Sequence, residues 1–163
     1  MERRMSNRRE GAGESAFMRE LAQAARGEKS DTMHYTHAAI LAAADNPAAA
    51  RLFDELARVE LSHLEELGQL LLYLDKGLPQ TARGSWHNVF FTKSPHTGPK
   101  KAQDTAAFIR AAIEDERRGA EHYRRLADMT RDDVAHKLLL RLSGEESGHA
   151  TALEGLRERI RHS

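Results

Sequence analysis

Glu60 and His63 stand three residues apart in a stretch, LARVELSHLEEL over 56–67, that has the period of a helix. At ~100° per residue, positions i and i+3 share one helix face. Phe53, Leu56, Leu67, Leu70 and Leu74 fall on that same face, so a carboxylate and an imidazole point into a core. A core accepts a carboxylate only when it is neutralised, paired or bound to metal. The chain then repeats the pattern: Leu139, Leu142, Glu146, His149, Leu153 and Leu156 form the same stripe on a second segment. Two helices must therefore turn their polar steps toward a shared interior, and few folds allow that.

The remaining periodicity supplies the other walls. A first helix is expected over 15–44, with Ser15 as N-cap. Its inward stripe is Phe17, Leu21, Ala24, Glu28, Asp31 or Thr32, Tyr35, Ala38 or Ala39, and Ala42. Asn46-Pro47 ends it and opens a second helix over 47–75, with Asn46 capping and Pro47 in the first turn. Gly77 and Pro79 stop that helix. Residues 76–102 have Gly and Pro punctuation and no helical stripe. So long a structureless connection is unusual inside a compact domain. It is expected where two helices run parallel and the chain must return the length of a bundle. Trp86, Val89, Phe90 and Phe91 are placed to pin this crossover to the bundle, with room for a short extended piece. A third helix is expected over 103–129, capped by Asp104, with the stripe Phe108, Ile109, Ala112, Ile113, Glu116, Gly119 or Ala120, Tyr123 and Leu126. A turn at 130–132 leads to a fourth helix over 133–161. The expected fold is an all-α four-helix bundle with a long crossover between helices two and three. It occupies 16–163, behind a disordered, solvated tail over 1–15.

The two halves read as copies. Glu28 precedes Tyr35 by seven residues, and Glu116 precedes Tyr123 by seven, each Tyr following a His. Each hairpin then delivers Glu-x-x-His on its second helix, which implies a pseudo-twofold axis through the bundle.

Length fits one domain with a sizeable core. The formal net charge is +0, which gives no electrostatic case for nucleic acid or an anionic membrane. No apolar run approaches the roughly 20 residues of a spanning helix, and 1–15 lacks the apolar stretch of a secretory signal, so a cytoplasmic location is expected. There is no cysteine. Disulfides, thiolate metal sites and iron–sulfur clusters within this chain are therefore excluded, and any metal ligands must be His, Asp or Glu.

Superposed, the four stripes bring Glu28, Glu60, His63, Glu116, Glu146 and His149 to the bundle centre. Two divalent cations satisfy this set, each taking one His and one terminal Glu, with Glu60 and Glu146 bridging. Oxygen donors with imidazole suit iron or manganese, and zinc or cobalt would also bind. Tyr35 and Tyr123 are placed to hydrogen-bond the ligands. The competing reading is a metal-free polar network, in which four buried carboxylates cost several kcal/mol each. Glu114 rivals Glu116 but lies ~200° round the helix. Glu145 rivals Glu146 but lacks the three-residue step to His149. Asp31, one turn past Glu28, is either a seventh carboxylate or proton relay, or a group at the edge of the site or paired with a base. His34 and His122 are read as interface or surface residues, and His37, His87, His96, His136 and His162 as solvated or loop residues.

On these motifs (Glu28…Tyr35, Glu60-Leu-Ser-His63, Glu116…Tyr123 and Glu146-Ser-Gly-His149) the chain over 16–161 resembles the ferritin-like superfamily, in particular the rubrerythrin and bacterioferritin group. It is most similar to an erythrin without the cysteine-bearing rubredoxin domain. The extra inward Glu of rubrerythrins, one turn beyond Glu116, is replaced by Gly119 and Ala120. Leu61 stands where bacterioferritin has its haem-binding Met, so haem is not expected. Nor is a closed cage, since the chain ends with the fourth helix.

The resemblance implies a diiron oxidoreductase, with manganese as the alternative metal. Its first expected activity is reduction of H2O2 with electrons from a separate donor protein. Ferroxidase activity with O2, manganese catalase and a non-catalytic metal-binding bundle are the alternatives. A homodimer is expected by analogy with other long-helix bundles.

Overall fold

In the computed structural model the described residues are 2–76 and 105–162, with side chains described from Ala16 onward. They form four helices: α1 (Glu2–Ala42), α2 (Pro47–Asp75), α3 (Thr105–Met129) and α4 (Asp133–Arg161). The described residues contain no strand. α1 packs along α2 and α3 along α4, and the two hairpins meet through sparser α1–α3 and α2–α4 contacts. No helix among the described residues is long and apolar enough to cross a membrane.

The expected turn chemistry is present. The Asn46 side chain accepts from the Ala49 N–H at 3.0 Å, with Pro47 in the first turn. Asp132 does the same for α4, accepting from Val134 and Ala135 at 3.0 and 2.9 Å. Each such cap contributes ~1 kcal/mol.

Two boundaries differ from expectation. α1 begins at Glu2, so Ser15 lies inside a helix and does not cap one, and the backbone of 2–14 is helical where a disordered tail was expected. The physical reason is visible in the residues: Glu, Arg and Met are good helix formers, and no Pro interrupts 2–42. Gly11 and Gly13 each cost ~1 kcal/mol there but do not stop a helix. α1 also ends slightly early, at Ala42, where a turn over 43–45 leads to Asn46. The Asp104 cap and the 76–102 crossover, with Trp86, Val89, Phe90 and Phe91, fall outside the described residues apart from Lys76.

Apolar residues gather into two clusters at different heights of the bundle. One contains Phe17, Leu21, Leu67, Leu71, Leu126, Leu139 and Leu142, closed by Tyr123. The other contains Phe53, Leu56, Ile109, Ile113, Leu153 and Leu156, closed by Tyr35. Each fully buried Leu or Phe contributes ~1.5–3 kcal/mol from removal of apolar surface from water. In sequence, every helix passes from one cluster to the other through one or two polar residues, which form the layer between.

Candidate metal centre

The layer between the clusters consists of Glu28, Glu60, His63, Glu116, Glu146 and His149, all buried. Glu60 and His63 are only 1% exposed, so water does not screen them. The three-residue step puts the His63 Nδ1 3.1 Å from its own helix neighbour Glu60. The same nitrogen lies 3.1 Å from Glu146 and 3.6 Å from Glu28. On the other half, His149 Nδ1 lies 2.9 Å from Glu60 and 3.2 Å from Glu116. The two imidazoles stack at 5.6 Å with their planes 14° apart. Both turn Nδ1 inward.

The expected stripe phases hold. Glu116 is buried and Glu114 exposed, as the seven-residue spacing to Tyr123 requires. The tyrosines cross between the hairpins. Tyr35 on α1 donates its hydroxyl to Glu116 Oε1 on α3, and Tyr123 on α3 donates to Glu28 Oε1 on α1. Each hairpin thus orients the other's terminal carboxylate, and the pseudo-twofold inferred from the repeat is realised in bonds.

Without a cation the layer is not self-sufficient. Glu28 Oε2, Glu60 Oε1 and Glu146 Oε1 are buried without a well-directed hydrogen bond, although a histidine Nδ1 lies 3.6, 2.9 and 3.1 Å from them respectively. Burial pushes Glu28 up to about 8 and Glu146 up to about 9, overriding the opposing pull of the nearby His63. Burial acts to raise Glu60 as well, but hydrogen bonds from His149 and His63 prevail and bring it to about 2. Burial acts to lower both histidines, yet the surrounding carboxylates raise His63 to about 12 and His149 to about 10. These protons occupy the place of positive charge that the donor set is arranged to receive.

The geometry divides the layer into two groups. One ligand atom each from Glu28, Glu60, His63 and Glu146 lie within 4.8 Å of one another, and so do atoms from Glu60, Glu116, Glu146 and His149. Glu60 and Glu146 belong to both. Two metal ions sharing two carboxylates fit this arrangement, with the orphaned oxygens as donors. The donor chemistry, carboxylate oxygen plus neutral imidazole, is that of a dimetal carboxylate site.

Gly119 marks the limit of the set. A Cβ at this position would stand 2.9 Å from Glu146 Oε2, so a larger residue requires Glu146 to move. The absence of a side chain at 119 is what lets Glu146 lie against α3. A groove of about 900 Å³ between α1 and α3 reaches the layer, lined among others by Glu28, Asp31, Tyr35, Glu116 and Gly119. Asp31 is at the edge of the site, as one of its two readings had it, with its carboxylate 3.7 Å from His34.

Two residues have roles that sequence reasoning missed. His136, expected to be solvated, is partly buried and bonds the Ala127 carbonyl at 2.9 Å, tying the start of α4 to the end of α3. Glu145, by spacing only a rival of Glu146, has a place of its own. Its Oε2 lies 2.9 Å from the outer nitrogen of His63, Nε2. Arg141, one turn earlier, bonds both Glu145 oxygens at 2.9 and 3.1 Å and also reaches Glu66 on α2. The Arg141-to-Glu145 spacing was the available signal, but the third partner stands 82 residues away.

The sequence model of the rubrerythrin family matches residues 20–157, a span that includes all six residues of the layer and both tyrosines. No curated protein sequence and no solved structure matches the chain. With four helices, two Glu-x-x-His steps and a buried layer able to hold two ions, the chain belongs to the rubrerythrin family.

Proposed function

We propose that this protein is a diiron oxidoreductase that reduces hydrogen peroxide with electrons from a separate donor. The observation that carries the reading is the pair of overlapping four-residue groups joined through Glu60 and Glu146. Glu28 and His63 would hold one ion and Glu116 and His149 the other, with Glu60 and Glu146 available to both. Iron is the metal assigned, manganese the alternative, and no haem takes part. When bound, a pair of Fe(II) ions supplies the two electrons that, with two protons, convert H2O2 into two waters.

The chain's own residues do the rest. Tyr35 and Tyr123 each hold one oxygen of a terminal glutamate, so those carboxylates are oriented before any ion arrives. The apolar clusters on either side exclude bulk water, which strengthens every charge interaction in the layer. The α1–α3 groove leads to Glu28 and Glu116 and admits a small oxidant. With no cysteine in the chain, electrons come from outside it. A cytoplasmic setting, a donor protein and a homodimer belong to the same reading.

The test is anaerobic loading with Fe(II), then rapid mixing with equal concentrations of H2O2 or O2. Faster oxidation by H2O2, one two-electron event per site, and later turnover set by added reductant are expected. Faster oxidation by O2 with continued Fe(II) consumption makes the protein a ferroxidase. Dioxygen release from H2O2 by the manganese form, with no reductant, makes it a catalase. Two bound metals inert to both oxidants make it a metal-holding bundle.

A further inference from the structure

The pseudo-twofold relates almost everything in the polar layer: Glu60 to Glu146, His63 to His149, Glu28 to Glu116, and Tyr35 to Tyr123. It fails at the edge of the layer, where Asp31 corresponds to Gly119, and behind one of the imidazoles. The residue before Glu146 is Glu145, which meets the outer nitrogen of His63, whereas the residue before Glu60 is Val59. The residues supporting Glu145 are unmatched too. Arg141 corresponds to Glu55, and Glu66 corresponds to Ala152. Among the described residues, the carboxylates within 4 Å of His149 are Glu60 and Glu116, both at the inward Nδ1. Among the described residues, one imidazole therefore has a carboxylate behind it and the other does not.

We infer that Glu145 is a positioning residue that makes the two metal sites unequal, so that the ion at His63 binds first and more tightly than the ion at His149. The inference rests on the two-metal reading above. A carboxylate only accepts, so the His63–Glu145 contact places the imidazole proton on Nε2. Once a metal displaces the proton from Nδ1, the lone pair there would face Glu28, Glu60 and Glu146, the tautomer a metal requires. Arg141 holds Glu145 in place, bonding both of its oxygens at 2.9 and 3.1 Å. A carboxylate behind a ligating imidazole fixes ring and tautomer and raises its basicity, and losing such a partner typically costs ~10–100-fold in metal affinity. His149 has to find its tautomer and orientation without that help. A first ion at His63 also occupies Glu60 and Glu146 and so arranges half of the second site.

The experiment titrates the metal-free full chain with Co(II), read by its visible absorption with a competing chelator. Wild type is expected to fill in two resolved steps. In Glu145→Leu the first step should weaken by ~10–100-fold and merge with the second, and Glu145→Gln should fall between. Val59→Glu, which supplies the missing carboxylate to the other half, should strengthen the second step. Proton NMR of the Zn(II)-loaded protein should show one strongly hydrogen-bonded imidazole N–H, from His63, that Glu145→Leu removes. A purely structural role for Glu145 would move none of these while changing thermal stability. Two equal Co(II) affinities in wild type, or an unaltered first step in both Glu145 variants, would overturn the inference while leaving the two-metal reading intact. Failure of wild type to bind two Co(II) ions would overturn the reading and the inference with it.

Discussion

The apolar clusters and the polar layer between them are built on the same four helices, yet they obey opposite rules. Leu21, Leu67 and Leu139 in one cluster and Leu153 in the other are fully buried and have all they need from their apolar neighbours. The layer brings together four carboxylates and two imidazoles at the same depth and leaves three carboxylate oxygens without a well-directed hydrogen bond. Packing alone would have placed leucines there. Replacing buried ion pairs with well-packed apolar residues is often stabilising by ~1–4 kcal/mol. The difference teaches where stability and function separate in this molecule: the clusters hold the helices in register, and the layer is maintained for what it binds.

The sharpest way to break that contrast is to remove a residue that both four-residue groups share. Glu60→Ala or Glu146→Ala should lose both metals, and activity should drop beyond the roughly 10–100-fold typical of losing an outer partner. His63→Ala and His149→Ala should each lose one metal and most activity while the helices persist, since each belongs to one group. Metal analysis alongside circular dichroism reads all four variants. Retention of two metals by both histidine variants would show the assignment to be wrong.

The reverse pattern is expected in the clusters. Leu67→Ala should cost ~2–5 kcal/mol of stability, the usual range for a buried large-to-small change. Its metal stoichiometry should stay at the wild-type value, as measured after refolding and dialysis.

Acidity separates the two regions without mutation. In the metal-free chain, Glu28 and Glu146 keep protons to about 8 and 9, against an ordinary value of 4.5. Their contribution to stability is full below 4.5 and is lost as pH rises through 8 and 9. His63 and His149 have the same sign, with a contribution present below 6.5 and lost as pH rises toward 10 and 12. Glu60 has the opposite sign, its contribution being present above 4.5 and lost as pH falls through about 2. The metal-free protein should therefore melt at a lower temperature at pH 9 than at pH 5.5. The loaded protein should show the opposite order, because metal displaces those protons and binds better where they leave easily. Parallel thermal melts of the two forms decide it.

The smallest effects should come from the crossed tyrosines. Tyr35→Phe and Tyr123→Phe each remove one hydrogen bond to a terminal glutamate, a loss of ~1 kcal/mol. Each should weaken the site on the opposite hairpin, Glu116 for Tyr35 and Glu28 for Tyr123. A chelator competition that finds neither site weakened would count against the orienting role.

Much of this was legible in the residues. The step from Glu60 to His63 lies within one helical turn, so the period alone brings both onto the face of Leu56 and Leu67. The seven-residue spacing from Glu28 to Tyr35 and from Glu116 to Tyr123 fixed the inward phase of α1 and α3, and Asn46-Pro47 marked a helix start through its cap. What escaped depends on register between helices. Glu145 meets His63 because of how α4 is rotated against α2, and no spacing within α4 encodes that rotation. The start of α1 escaped for another reason: 2–14 carries no stop signal, so charge and glycine were read as disorder where the backbone continues helical.

The central claim is that the layer exists to hold two ions on two shared glutamates. Anomalous diffraction from crystals of the iron-loaded protein tests it most directly. The account requires two peaks per chain, ~3.5–4 Å apart as in other two-metal sites, each within bonding distance of Glu60 and Glu146, one beside His63 and the other beside His149. A single fully occupied peak, or peaks remote from Glu60 and Glu146, would contradict it.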